Sequence, residues 1–157
     1  MSKKPKQQIQ PPSGKHVRQG CVPTAPRVPR MAYDPENVSK MTPVWKIGRI
    51  DVDGVWGHAH IDRDTLWNQI FPKLKNYELM TWGDITQDPN YNHSVKVWQI
   101  VKEARKRLEE LGIEEEQLFR FRLTGTQRVW GIRDRDIFYI LWWDPKHEVC
   151  PSTKKHT

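Results

Sequence analysis

Three arginines and one histidine near the end of the chain have the types and spacing to handle a phosphodiester. Arg120 and Arg122 stand two apart in the alternating run Phe119-Arg120-Phe121-Arg122-Leu123, so both side chains leave one face of a strand. Arg128 opens the next run with Trp130 two positions on, and a register that sets Arg122 opposite Arg128 gives a cationic surface beside an aromatic one. Guanidinium offers a planar fork of donors that matches phosphate, and aromatic rings stack on unpaired bases, a combination suited to single-stranded RNA. His147 follows a further strand through Asp144-Pro145, and its imidazole titrates close to neutrality, as proton shuttling requires. Solvated strand arginines paired with acids, and a merely polar turn histidine, are the ordinary alternatives. His58 and His60 are also two apart, and with His93 or His147 they offer imidazoles for zinc, although neither a cysteine partner nor an HExxH helix accompanies them.

These groups need a sheet to hold them. Phe119–Thr124, Gln127–Arg133 and Ile137–Trp143 read as three adjacent antiparallel strands, separated by Gly125-Thr126 and Asp134-Arg135-Asp136. The last has seven consecutive apolar or aromatic residues, which predicts the central strand. Upstream, Trp45–Val52 and Val55–Ile61 flank Asp53-Gly54, the signature of a hairpin. Asp62 or Asp64 caps a helix carrying Leu66, Trp67, Ile70, Phe71 and Leu74, which Pro72 should kink or split. Thr81-Trp82-Gly83-Asp84 reads as a capping box. Ser94 is placed to cap the best helix, with Val97, Trp98, Val101, Ala104, Leu108 and Leu111 on one stripe and Gly112 as its stop. The predicted fold class is α+β: a small, antiparallel-rich sheet with two main helices packed on one face.

Of the 26 Lys and Arg, eight fall within residues 1–43 against two acids, leaving 18 basic and 17 acidic groups for the rest. Of the net charge of +7, +6 therefore resides in the first segment, which also holds eight of the 12 prolines. The expected organisation is a disordered basic tail over 1–43, a single domain over 44–150 and a frayed end over 151–157. A basic tail suits nucleic acid or another polyanion, or serves only solubility. Cys21 and Cys150 give neither a disulfide framework nor zinc spacing, which favours a reducing cytoplasm. Seven apolar residues are far short of a bilayer span.

The stretch Arg122-Leu-Thr-Gly-Thr-Gln-Arg-Val-Trp-Gly-Ile-Arg-Asp-Arg-Asp-Ile-Phe-Tyr-Ile-Leu-Trp-Trp-Asp-Pro-Lys-His147 resembles the C-terminal half of the RelE/ParE-like toxin superfamily, and most of all its YoeB branch. Arg122, Arg128, Trp130, Asp134 and His147 fall on that family's pattern of an Arg before a short turn, an Arg opening the next strand, an aromatic residue, an acidic turn and a terminal His or Tyr. The resemblance implies a RelE-like fold and a metal-independent, cofactor-free endoribonuclease that cuts mRNA at the ribosome by 2′-hydroxyl attack. It further implies an antitoxin partner and no membrane. Arg128 and Arg122 would neutralise the phosphate, His147 would be the acid, and Glu116 is the nearest candidate base. Arg120, Trp130, Tyr139 and Trp143 would contact RNA. The competing expectations are a non-catalytic nucleic-acid- or protein-binding adaptor of the same fold, and ParE-like inhibition of gyrase, which needs no catalytic histidine.

Overall fold

The computed structural model describes residues 35–153, so the expectations for residues 1–34 and 154–157 lie outside the described residues. Five strands form one sheet in the order β1-β5-β4-β3-β2, with β1 Val44–Lys46, β2 His93–Lys96, β3 Gln117–Arg122, β4 Arg128–Asp134 and β5 Ile137–Asp144. The three expected strands are present and antiparallel. Their order carries a correction, because β4 holds the centre and β5 lies between β4 and the short edge strand β1. An apolar run identifies a strand buried on both faces, but it cannot say which of two such strands is innermost.

The hairpin expected at 45–61 is absent. Only Val44–Lys46 is extended, and it pairs in parallel with Ile137–Tyr139. Beyond it the chain folds in on Asp51, whose carboxylate is buried and takes a two-pronged contact from Arg107, with Nε at 2.9 Å and Nη2 at 2.7 Å. Trp142 Nε1 and the Gly54 amide donate to the same carboxylate. A Cβ on Gly54 would collide with Asp51 Oδ2 and Arg107 Nε, so this glycine serves a close approach and not a two-residue turn.

Helices cover both sheet faces, which corrects the expected one-sided packing. On the first face lie α1 (Pro35–Ser39), α2 (Phe71–Glu78) and α3 (Trp82–Ile85). Val38, Leu74, Tyr77, Trp82 and Ile85 meet Phe119, Phe121, Val129, Phe138 and Trp143 there. Edge-to-face contacts such as Trp45–Phe138 at 5.6 Å and Phe121–Phe138 at 4.9 Å fill that layer. On the second face α4 (Lys102–Glu110) brings Ala104 and Leu108 against Val95, Leu118, Trp130, Ile132 and Trp142. Because α1 is docked through Val38 and Trp82 N–H donates to Met41 O, the folded body begins upstream of the expected boundary at 44.

The long helix expected from Ser94 is also corrected. Ser94 pairs with Phe119 inside β2, Val97–Gln99 is a 3-10 turn, and the helix proper starts after Val101. Helical spacing in Val97 and Trp98 is coincidental there: Trp98 is 72% exposed, and the edge of β3 offers hydrogen bonds that outweigh weak local propensity. The split expected at Pro72 is a change of helix type only, because the backbone stays helical through Ile70 and Phe71. Pro72 sits in the first turn of α2, preceded by a π-helical segment, Thr65–Ile70, which Asp62 caps through the Thr65 amide at 2.9 Å. The capping box of α3 is formed, Thr81 Oγ1 accepting from Asp84 N–H.

Candidate functional site

The register β3–β4 sets Arg122 opposite Arg128 and Arg120 opposite Trp130, while β2–β3 sets His93 opposite Arg120. Since side chains alternate along a strand, His93, Arg120, Arg122, Arg128 and Trp130 share the second face, at the end that α4 leaves free. The fifth group arrives from beyond β5. Asp144 is wholly buried, and its carboxylate accepts from Trp130 Nε1 (3.2 Å), Glu148 N–H (2.8 Å) and Val149 N–H (3.0 Å). Those bonds curl the chain so tightly that His147 adopts φ 59, a left-handed conformation that costs a non-glycine residue roughly 1–2 kcal/mol. The curl returns the imidazole to the sheet, where Arg120 Nη1 donates to His147 Nε2 at 2.6 Å. His147 is thereby brought within electrostatic reach of Arg120, Arg122 and Arg128.

Positive charge outweighs negative at this site, where the buried Asp144 carboxylate offsets only part of the field of the arginines. Among the described residues, Arg120, Arg122 and Arg128 have no carboxylate within ion-pair distance. Arg128 is buried and its guanidinium is caged by backbone carbonyls: Nη1 donates to Thr124 O (2.8 Å) and Gln127 O (2.9 Å), and Nη2 to Gly125 O (3.2 Å). Burial, with Arg120 and Arg122 nearby, pushes its pKa down to about 10. Burial likewise lowers that of Arg120. Three nitrogens in this cluster, Arg120 Nε, Arg128 Nε and His93 Nδ1, are sealed from solvent without a hydrogen-bond partner. Unpaired buried polar groups are costly, and an arriving anion would offset that cost.

The imidazoles respond to the same field. His147 is lowered by burial, then by Arg128 and Arg120; His93 is lowered by burial, then by Arg120 and Arg128. His147 is therefore neutral near pH 7, with Nε2 acting as an acceptor. That is the state of a base, whereas the resemblance implies an acid. A bound phosphate would raise both values by cancelling the positive field.

Other expected site residues are elsewhere. Glu116 precedes β3 at the opposite end, six residues from Arg122, or about 20 Å at roughly 3.3 Å per residue, too far to serve as base. Tyr139 pairs with Ile132 and Lys46 at the far end of β5, beneath Arg49 at 4.9 Å. Trp143 is buried in the first-face core. Trp130 belongs to the site as its floor but has no exposed surface, so it supports Arg120 (5.9 Å) and cannot stack a base. His58 and His60 lie on a 3-10 turn and not on a strand, and no group of three or more His, Cys, Asp or Glu among the described residues is arranged for a metal. An apolar cavity of about 520 Å³ between the 47–61 segment and α2 is lined by aliphatic and aromatic side chains together with His58.

Sequence reasoning missed Tyr91 and Asn92, and it weighed His93 only as a zinc ligand. The Arg122 guanidinium lies 4.9 Å from the Tyr91 ring centroid, and buried Asn92 accepts the Arg122 amide at 2.8 Å. Their signal was His93-Ser-Val-Lys96, an alternating strand able to pair with Gln117–Arg120.

No curated protein and no solved structure matches the chain. Among the described residues, no helix is long and apolar enough to cross a membrane. One family model matches, over residues 60–157, a span that takes in α2 to α4, β2 to β5 and every group of the cationic site. The chain belongs to the family described as Uncharacterised protein UU032.

Proposed function

We propose that the cationic end of the sheet binds the backbone of single-stranded RNA and cleaves it by 2′-hydroxyl attack, as in the toxin-like endoribonucleases that the C-terminal stretch resembles. The observation that carries this reading is the convergence of three guanidinium groups lacking carboxylate partners with two imidazoles on one sheet face. Arg120 and Arg122 contact the phosphate directly, and Arg128 adds positive potential from its carbonyl cage. Neutral His147 takes the 2′-hydroxyl proton at Nε2 once Arg120 turns to the phosphate. The 2′-oxygen bonds to phosphorus, and the phosphorus–5′-oxygen bond breaks. His93, protonated in the field of the bound phosphate, supplies the proton to the leaving oxygen. The products are a 2′,3′-cyclic phosphate and a 5′-hydroxyl. Ribosomal action, an antitoxin partner and a cytoplasmic setting belong to the same proposal.

The test is incubation of purified protein with a short oligoribonucleotide and its all-2′-deoxy counterpart, with end-group analysis. Cyclic phosphate from the first only, abolished by His147→Ala and by His93→Ala, supports the reading. RNA bound but left intact supports the second reading, a non-catalytic RNA-binding adaptor. Two observations favour that alternative: Arg128 is committed to three carbonyls, and Glu116 is far from the cluster.

A further inference from the structure

A second concavity adjoins the cationic cluster and has a different chemistry. It measures about 470 Å³ and lies between α2, α3 and the 87–92 loop, with Tyr91 in its wall. Tyr77 and Tyr91 supply aromatic surface, Asn76, Gln87 and Asn92 supply amides, and Asp88 supplies a carboxylate. That mixture suits a flat ring with apolar faces and hydrogen-bonding edges.

The wall is rigidly tied to the phosphate site. Tyr77 hydroxyl donates to Arg122 O at 2.6 Å. Asn92 accepts the Arg122 amide through Oδ1 and donates to Ile85 O through Nδ2 at 3.2 Å, which fixes the residue next to Tyr91 from the core. Tyr91 N–H donates to Asp88 O at 3.1 Å. The Tyr91 ring, 38% exposed, is thereby presented beside Arg122, and it is the exposed ring of the site, since Trp130 is fully covered. Two χ angles and a fixed mount leave little entropy to lose when a base stacks on it.

We infer that this cleft is a nucleobase subsite: the base flanking the phosphate held at Arg122 stacks on Tyr91 and turns its polar edge toward Asn76, Gln87 and Asp88. The inference rests on the RNA-binding reading above and adds a specificity-determining residue to it. It requires an unpaired base, because a base within a duplex has no free face to offer.

The experiment uses the full chain and a fully 2′-O-methylated oligonucleotide that cannot be cleaved, in three forms: intact, abasic at one central position, and with 2-aminopurine at that position. Wild type should bind the abasic form roughly tenfold more weakly than the intact one, in line with the usual worth of one base–aromatic stack. It should also quench 2-aminopurine. Tyr91→Ala should bind intact and abasic forms equally and leave the fluorophore bright, while Tyr91→Phe should behave as wild type. A protein altered only in folding would weaken on both forms and preserve their ratio. Equal binding of both forms by wild type, with Arg122→Ala weakening each, overturns the base subsite and leaves the phosphate site standing. Failure of wild type to bind either form at low salt overturns both.

Discussion

Replacing Arg122 by alanine gives the most direct measure of the unbalanced charge. Arg122 is half-buried, its Nε is tied to Thr124 O at 3.3 Å, and its guanidinium lies 4.9 Å from the Tyr91 ring centroid, so the change removes one cation without opening the core. Each phosphate neutralised on a single strand releases counterions, adding about 0.7 to the negative slope of log K against log salt. Counting Arg120 and Arg122, which contact phosphate, and not the carbonyl-caged Arg128, the predicted contribution is about −1.4, or roughly a sevenfold loss of affinity over a fourfold rise in salt. Arg122→Ala should reduce the slope by about 0.7, so that the same rise costs about 2.6-fold less than in wild type. Any contribution from the basic residues within 1–43 is common to both proteins and cancels in the difference. Fluorescence anisotropy of a labelled, uncleavable oligonucleotide at five salt concentrations reads the slope directly. An unchanged slope would refute the placement of phosphate at Arg122, even if affinity fell.

Three other outcomes are expected. In the ligand-free protein the imidazoles of His93 and His147 should titrate by NMR below 6.5 and move upward when inorganic phosphate is added; free values at or above 6.5 would contradict the cationic field. Because a lowered folded pKa favours the neutral form, the two histidines contribute stability above 6.5 that is lost as pH falls from 6.5 through their lower folded values, and His147→Ala should flatten this part of the stability profile. Asp51→Ala should cost about 3 kcal/mol in chemical denaturation, toward the lower end for a broken buried pair because Arg107 retains 26% side-chain exposure. Arg107 holds the Asp51 pKa at about 2 against an ordinary 3.8, so wild type loses this stabilisation as pH falls from 3.8 toward 2, and the variant has none to lose. Gly131→Ala, on the central strand, would drive a Cβ into Tyr139 O and the Phe138 ring, and should lower stability by about 3 kcal/mol, measured by the same denaturation.

The bulge at Trp130/Gly131 explains part of what could not be read in advance. It lets Trp142 face Trp130 while Ile140 faces Gly131, so Leu141 and Trp142 both join the second-face core although they are neighbours in sequence. Strict alternation predicts opposite faces for such a pair, and a bulge is the local event that breaks it.

Local chemistry was legible from the residues alone. Alternation announced β3, the Thr81–Asp84 box announced the start of α3, and the separation of two residues put Arg120 and Arg122 on one face. Those features depend on backbone geometry within a few residues, which side-chain type and spacing largely dictate. Tertiary structure decided the rest. It set β1 parallel to β5 in place of a hairpin, sent Glu116 to the far end of β3, and used Asp144 to fold His147 back onto Arg120. It also brought Tyr91 and His93, from a stretch that read as a polar loop, against the arginines. Such placements depend on which strand edges and buried carboxylates find partners across 14 to 93 residues of chain, and no spacing within a segment encodes that competition.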